Sequence, residues 1–126
     1  AQGITVETRI ILPVELPVSN TDLVIVFGNL MDNAVEACAK VENPKIQLDA
    51  HIKKGYLVIT ESNPAAPEAE THKQRRIPEL ERGIGFSIFQ ELARKYDGRF
   101  SYHAENGRFT ASLILKGASL AQHCDL

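Results

Sequence analysis

Between Ser19 and Lys40 one periodic segment constrains both a fold element and a chemistry. Leu23, Val26, Phe27, Leu30, Met31, Ala34, Ala37, Cys38 and Val41 recur at the i, i+3, i+4, i+7 spacing of a helix with one buried face. Asn29, Asn33, Glu36 and Lys40 follow one another at intervals of four, three and four, so a single narrow stripe off that face carries two amides, a carboxylate and an ammonium group. Asparagine side chains compete for backbone hydrogen bonds, so two of them one turn apart in mid-helix are not there for helix propensity. A solvated polar face is one reading of the stripe. The other is chemical: an amide offers a neutral, hard oxygen ligand and a donor, which suits a magnesium ion already carrying phosphate oxygens.

The rest of the chain reads as strands, a second helix and one long irregular stretch. Ile4 to Leu12 is a Val/Ile/Thr-rich strand closed by Pro13 and Pro17; Ser19 or Asn20 can cap the long helix, and Ser19-x-x-Asp22 gives it a capping-box-like start. Asn43-Pro44 ends the helical region. Lys45 to Ile52 and Tyr56 to Thr60 predict two strands joined by a turn at Lys53-Lys54-Gly55. From Glu61 to Arg82 hydrophobic periodicity is lost over about twenty residues, a length that compact domains reserve for functional loops. Gly83 to Tyr96 predicts a second helix with an apolar stripe of Ile84, Ile88, Phe89, Leu92, Ala93 and Tyr96, left through Asp97-Gly98. Arg99 to Ala104 and Phe109 to Leu115 then form a hairpin around Glu105-Asn106-Gly107, and Ala118 to Leu126 is an uninformative tail. Strand, helix, strand, strand, loop, helix, strand, strand implies helices on one face of a mixed sheet.

Bulk properties remove several functions. At 126 residues the chain is one domain, able to bury a core without disulfides or metal staples. A net charge of −2, from 14 basic and 16 acidic residues, leaves no field that would recruit nucleic acid or an anionic membrane. Cys38 falls on the apolar helix face and Cys124 in the tail, so they make neither a disulfide framework nor a metal spacing. His51, His72, His103 and His123 assemble no metal or nucleophile–base cluster, and none sits on an amphipathic helix with a following acidic residue. The glycines of Gly83-Ile84-Gly85-Phe86, at the start of the second helix, let backbone N–H groups approach an anion closely, although a lone GxG before a helix also serves tight packing.

Three of these stretches together resemble the GHKL ATPase superfamily. Asn29-Leu30-Met31-Asp32-Asn33-Ala34 followed by Glu36-Ala37 is similar to its N box, and Gly83-Ile84-Gly85-Phe86 looks like its G2 box. Lys95 to Phe100 with Gly107 to Leu115 is similar to the closing strand pair of histidine kinase catalytic domains, so the resemblance spans about Ile4 to Lys116. It implies a two-layer α/β sandwich (Bergerat fold), with a mixed, mostly antiparallel sheet, helices on one face and a nucleotide lid at residues 63–82. The domain spans residues 1–126, with 117–126 as tail, and is expected to be a piece of a longer protein.

The resemblance also assigns roles. Asn33 matches the asparagine that ligates magnesium on the phosphates of ATP, and Asn29 stands where hydrolytic members carry a glutamate general base. An amide takes no proton at neutral pH, so water activation is weak, as suits an enzyme that delivers its phosphoryl group to a protein histidine. Asn63, in Glu61-Ser62-Asn63-Pro64-Ala65-Ala66, aligns with the adenine-binding aspartate, but Pro64 and Ala65 stand near where glycines are usual. Glu36 is a carboxylate where many histidine kinases have a base, a feature of the peptide- and quorum-sensing branch, and leaves Lys40 and lid cations to compensate. Arg82, with Lys73, Arg75 and Arg76 behind it, is the expected phosphate contact, alongside the backbone of Gly83, Ile84, Gly85 and Phe86.

The expected function is therefore that of a sensor histidine kinase catalytic domain in bacterial two-component signalling. It would bind ATP with Mg2+ and transfer the γ-phosphoryl to a histidine on an upstream dimerisation and phosphoacceptor domain, for onward passage to a response regulator. The parent would be a membrane-anchored homodimer with this domain in the cytoplasm. Two alternatives stand beside it: a protein serine kinase of the anti-sigma-factor type, and a degenerate domain that has become a non-catalytic interaction module.

Overall fold

The computed structural model describes residues 3–16, 18–39, 41–65 and 84–116. Its elements are β1 (Thr5–Ile11), α1 (Asn20–Cys38), β2 (Lys45–Lys53), β3 (Tyr56–Pro64), α2 (Ile84–Lys95), β4 (Arg99–Glu105) and β5 (Arg108–Lys116). One five-stranded sheet runs β1-β2-β3-β5-β4, with β1 parallel to β2 and every other pair antiparallel. Alternation along the strands sends Leu48 and Ala50, Leu57 and Ile59, and Phe109, Ala111, Leu113 and Leu115 to one face. There they form a single core with Leu23, Val26 and Leu30 of α1 and Phe86, Phe89, Leu92 and Ala93 of α2. This is the expected two-layer sandwich, with both helices on the same side. No described helix is long and apolar enough to cross a membrane.

Local chemistry sets the element ends. Ser19 Oγ accepts the Asp22 N–H at 3.1 Å, so of the two candidates Ser19 caps α1. Both hairpins turn through paired left-handed residues, Lys54 (φ 54°) with Gly55 (φ 85°) and Asn106 (φ 55°) with Gly107 (φ 76°). Those are the conformations whose twist matches paired strands. The chain leaves α2 through Asp97-Gly98, as the sequence implies. Asp97, not Gly98, takes the left-handed conformation (φ 55°), while the Gly98 N–H reaches back to the Ala93 carbonyl at 2.6 Å and the Asp97 N–H to that of Arg94 at 3.3 Å.

Strand β3 runs further than its apolar alternation. The apolar alternation places the strand's end at Thr60, yet the ladder to β5 continues through Glu61↔Ala111 and Asn63↔Phe109 to Pro64↔Arg108. Glu61 and Asn63 occupy the inward slots that follow Leu57 and Ile59, so the period of two persists while the hydrophobicity that announces it vanishes. At the other side of the sheet every residue of edge strand β1 is exposed. Val6 and Ile10 remain 45% and 48% exposed because α1 lies over β2 and β3 instead.

A polar joint ties the helices. Asp22, near the start of α1, accepts from Lys95 Nζ at 2.8 Å and from the Tyr96 hydroxyl at 2.5 Å, both at the end of α2. The Lys95 and Tyr96 hydrogen bonds hold the Asp22 carboxyl below its ordinary value. Its contribution to stability is therefore complete above the unfolded carboxylate value and lost as pH falls through the lower folded one. Asp22→Asn is expected to cost about 1.5–3 kcal/mol at neutral pH, the range of hydrogen bonds to a charged group. The difference from the unmodified protein should close in acid; urea titrations across pH would refute the assignment by showing an equal deficit at every pH.

Candidate functional site: a polar cleft between two helices

Asn29, Asn33 and Glu36 share a flank of α1 with Asp22, the four lying within about 60° around the helix at 3.6 residues per turn. Asp22 bonds to Lys95 and Tyr96, so the N-terminal part of this flank is tied to the end of α2. The Asn29 amide is partly committed: its Nδ2 donates to the Ile25 carbonyl at 2.7 Å, leaving the oxygen as its second group. Asn33 is half-buried and its amide makes no hydrogen bond to any described residue. An amide oxygen that no described residue engages fits the ligand role read from the sequence. No three His, Cys, Asp or Glu side chains converge among the described residues. Magnesium characteristically takes few protein ligands and completes its octahedron with water and phosphate, so a single amide oxygen suits a metal that arrives with a nucleotide.

The floor of the cleft is the end of β3. Ala34 and Cys38, in the C-terminal half of α1, pack with Ile46 at the start of β2, beside the register pair Gln47↔Ser62. Glu61 and Asn63 therefore lie beneath that half of the helix, 1% and 2% exposed. The Asn63 Nδ2 donates to both Glu61 carboxylate oxygens, at 2.7 and 3.0 Å. Burial pushes the Glu61 carboxyl up to about 7, against the lowering effects of the Asn63 hydrogen bonds and the Arg108 charge. Arg108 staples this end of the sheet, donating to Ser62 Oγ at 3.2 and 3.0 Å and to the Lys45 carbonyl at 2.9 Å. Cys38 is buried, as its apolar position implied, and burial holds its thiol pKa up.

The start of α2 forms the opposite wall. The Phe86 ring is 5% exposed and packs on Phe100 and Tyr102 of β4, with centroids 5.3 and 4.7 Å away. Tyr102 in turn meets Phe109, the register partner of Asn63. The first turn of α2 thus stands over the same end of the sheet as Asn63. Phe86 is read more narrowly than the sequence allowed: its side chain belongs to the core, and what it can offer a ligand is its backbone N–H. Ile84 and Gly85 share that first turn, whose N–H groups have no partner inside the helix.

Glu36 is exposed further along the flank. Lys40, Lys73, Arg75, Arg76, Arg82 and Gly83 lie outside the described residues. Glu61 and Arg108 were missed. The available signal for Glu61 was a carboxylate in the next inward slot of a strand; for Arg108 there was none beyond its place after an Asn-Gly turn. A groove lined by Glu7, Arg9, Gln47, Asp49, Thr60 and Ser62 lies on the sheet face away from the helices.

Among the described residues, a mixed five-stranded sheet covered on one face by two helices is the fold of histidine kinase catalytic domains. The catalytic domain of histidine kinase ThkA superposes with a TM-score of 0.66 at 19% identity, over 90% of this chain and 80% of that one. Full-length ShkA, solved in complex with AMPPNP, gives 0.57 at 19% identity over 90% and 26%. The chain belongs to the GHKL domain family, whose model matches residues 18–116. Among curated relatives, sensor protein PhoQ of Escherichia coli strain K12 is 27% identical over 105 residues, 78% of this chain and 21% of PhoQ. The chain therefore spans about a fifth of the length of the curated relatives it matches.

Proposed function

We propose that this domain binds ATP with Mg2+ and donates the γ-phosphoryl group to a histidine on a separate helical domain, as the catalytic part of a sensor histidine kinase. The observation that carries the reading is the half-buried Asn33 amide, which bonds to no described residue, on the same α1 flank as Asp22 and near the buried Glu61–Asn63 pair. Asn33 would supply one oxygen to the metal, and the first-turn N–H groups of α2 would face the phosphates. Magnesium bound there supplies charge neutralisation on the phosphate oxygens. Asn63 is the adenine contact, and Lys40, Lys73 and Arg82 the cations that complete the phosphate seat. Catalysis by these residues is positioning and electrostatic stabilisation. Asn29 cannot take a proton from water, so the phosphoryl group is kept for its protein acceptor.

The acceptor domain and the response regulator are proposed partners, and the parent is proposed to be a membrane-anchored homodimer that holds this domain in the cytoplasm. Support comes from the family membership and from the likeness to PhoQ, a sensor protein. Calorimetric titration with a non-hydrolysable ATP analogue tests the reading. Saturable binding that strengthens with magnesium is expected. Absence of binding at millimolar nucleotide, from protein with an intact melting transition, would overturn it and favour an interaction module.

A further inference from the structure

We propose that Glu61 is a positioning residue that locks the Asn63 amide with its nitrogen turned inward and its oxygen offered to the ligand, so that the site selects a 6-aminopurine over a 6-oxopurine. The inference rests on the nucleotide-binding reading above and deepens it. An asparagine amide is nearly symmetric in shape, and its two ends differ only in that one donates and the other accepts. Left to itself it would serve a 6-amino or a 6-oxo group equally well by turning over. Here it is not left to itself. An ionised carboxylate only accepts, and Glu61 places both oxygens within 2.7 and 3.0 Å of Nδ2 in a region where the two residues are 1% and 2% exposed. Turning the amide over would set Oδ1 against two carboxylate oxygens, a repulsion that burial strengthens. Oδ1 therefore points away from Glu61 and can only accept, which matches an exocyclic amine and clashes with an exocyclic carbonyl.

The lock depends on the charge of Glu61. A protonated carboxyl has a hydroxyl that can donate to Oδ1, so it supports either orientation of the amide. Burial places this change near neutrality, at about 7. The groups facing Glu61 do not take over its role. From β5 the Arg108 guanidinium acts on it through space, from α1 the Cys38 thiol is held neutral by burial, and its neighbours in register, Leu48 on β2 and Ala111 on β5, are apolar.

The test is the ratio of dissociation constants for ADP and IDP, with magnesium, measured at pH 6 and pH 8 on the unmodified protein and on Glu61→Gln. The two nucleotides differ at the 6-position and its adjoining ring nitrogen, so the phosphate contacts and their ionisation cancel in the ratio. The unmodified protein at pH 8 should prefer ADP, by about tenfold more than it does at pH 6. Glu61→Gln, whose amide can pair with Asn63 in either orientation, should lose about the same factor and show no pH dependence. A ratio that is flat with pH in the unmodified protein and unchanged in Glu61→Gln overturns the role of Glu61 while leaving the nucleotide site standing. Failure of the unmodified protein to bind either nucleotide overturns both. The pH series on the unmodified protein carries the conclusion should the variant not fold.

Discussion

Asn33→Ala is expected to remove magnesium-dependent nucleotide binding and to lower phosphotransfer in the full-length protein by about a hundredfold or more, with the fold intact. The size follows from the place of the amide: a ligand or donor aimed at developing phosphate charge in a partly desolvated cleft is worth on the order of two to three powers of ten in rate. Stability should hold for a separate reason. The Asn33 side chain hydrogen-bonds to no described residue, and alanine is the better helix former by up to about 0.7 kcal/mol. The variant should therefore melt at or slightly above the temperature of the unmodified protein. Titration with the ATP analogue, with and without magnesium, separates the effects, since magnesium-independent binding by the base is expected to persist. Transfer at near-normal rate would remove Asn33 from the site.

Gly98→Ala is expected to have the largest effect on stability, on the order of 3–5 kcal/mol, a large part of the 5–15 kcal/mol typical of a domain. A Cβ at this position would lie 1.8 Å from the Ile114 carbonyl oxygen, 2.8 Å from its carbon and 2.9 Å from the Leu115 Cα. All three are backbone atoms of β5, the strand between β3 and β4, so no side chain can swing aside to relieve the overlap. The neighbouring chain is pinned as well, by the Gly98 N–H on the Ala93 carbonyl and the Lys116 N–H on that of Tyr96. Chemical denaturation of the purified variant is the check, with a stability loss under about 1 kcal/mol showing that the sheet edge can move. The contrast with Gly55, whose added Cβ would meet nothing within 4 Å although its φ is +85°, separates two uses of glycine. One position needs the missing side chain for space and the other for backbone freedom.

That distinction shows where sequence reading stops. The dipeptide Asp97-Gly98 announced a helix exit, and the exit is there, but the left-handed residue is Asp97, and Gly98 is required by a strand that arrives sixteen residues later in the chain. Composition and local spacing carry no information about that arrival. The same limit applies at Glu61 and Asn63. Their spacing of two was visible in the sequence. That both fill inward slots was not, because a polar residue in a core position silences the hydrophobic alternation by which a strand is recognised.

What the sequence determined by itself was every element governed by short-range periodicity or turn chemistry: the amphipathic α1 with a cap at Ser19 or Asn20, the two hairpins at Lys54-Gly55 and Asn106-Gly107, and the apolar face of α2. It also determined the stripe of Asn29, Asn33 and Glu36, since helical spacing alone places those side chains together. What only the tertiary structure decided was what that flank is tied to and what lies below it. Asp22 ties its N-terminal part to the end of α2 by bonds to Lys95 and Tyr96, more than seventy residues away in sequence. The β3–β5 ladder carries Glu61 and Asn63 into the core. Both follow from contacts between distant segments, whose partners are chosen by packing and charge in three dimensions and leave no period in the chain.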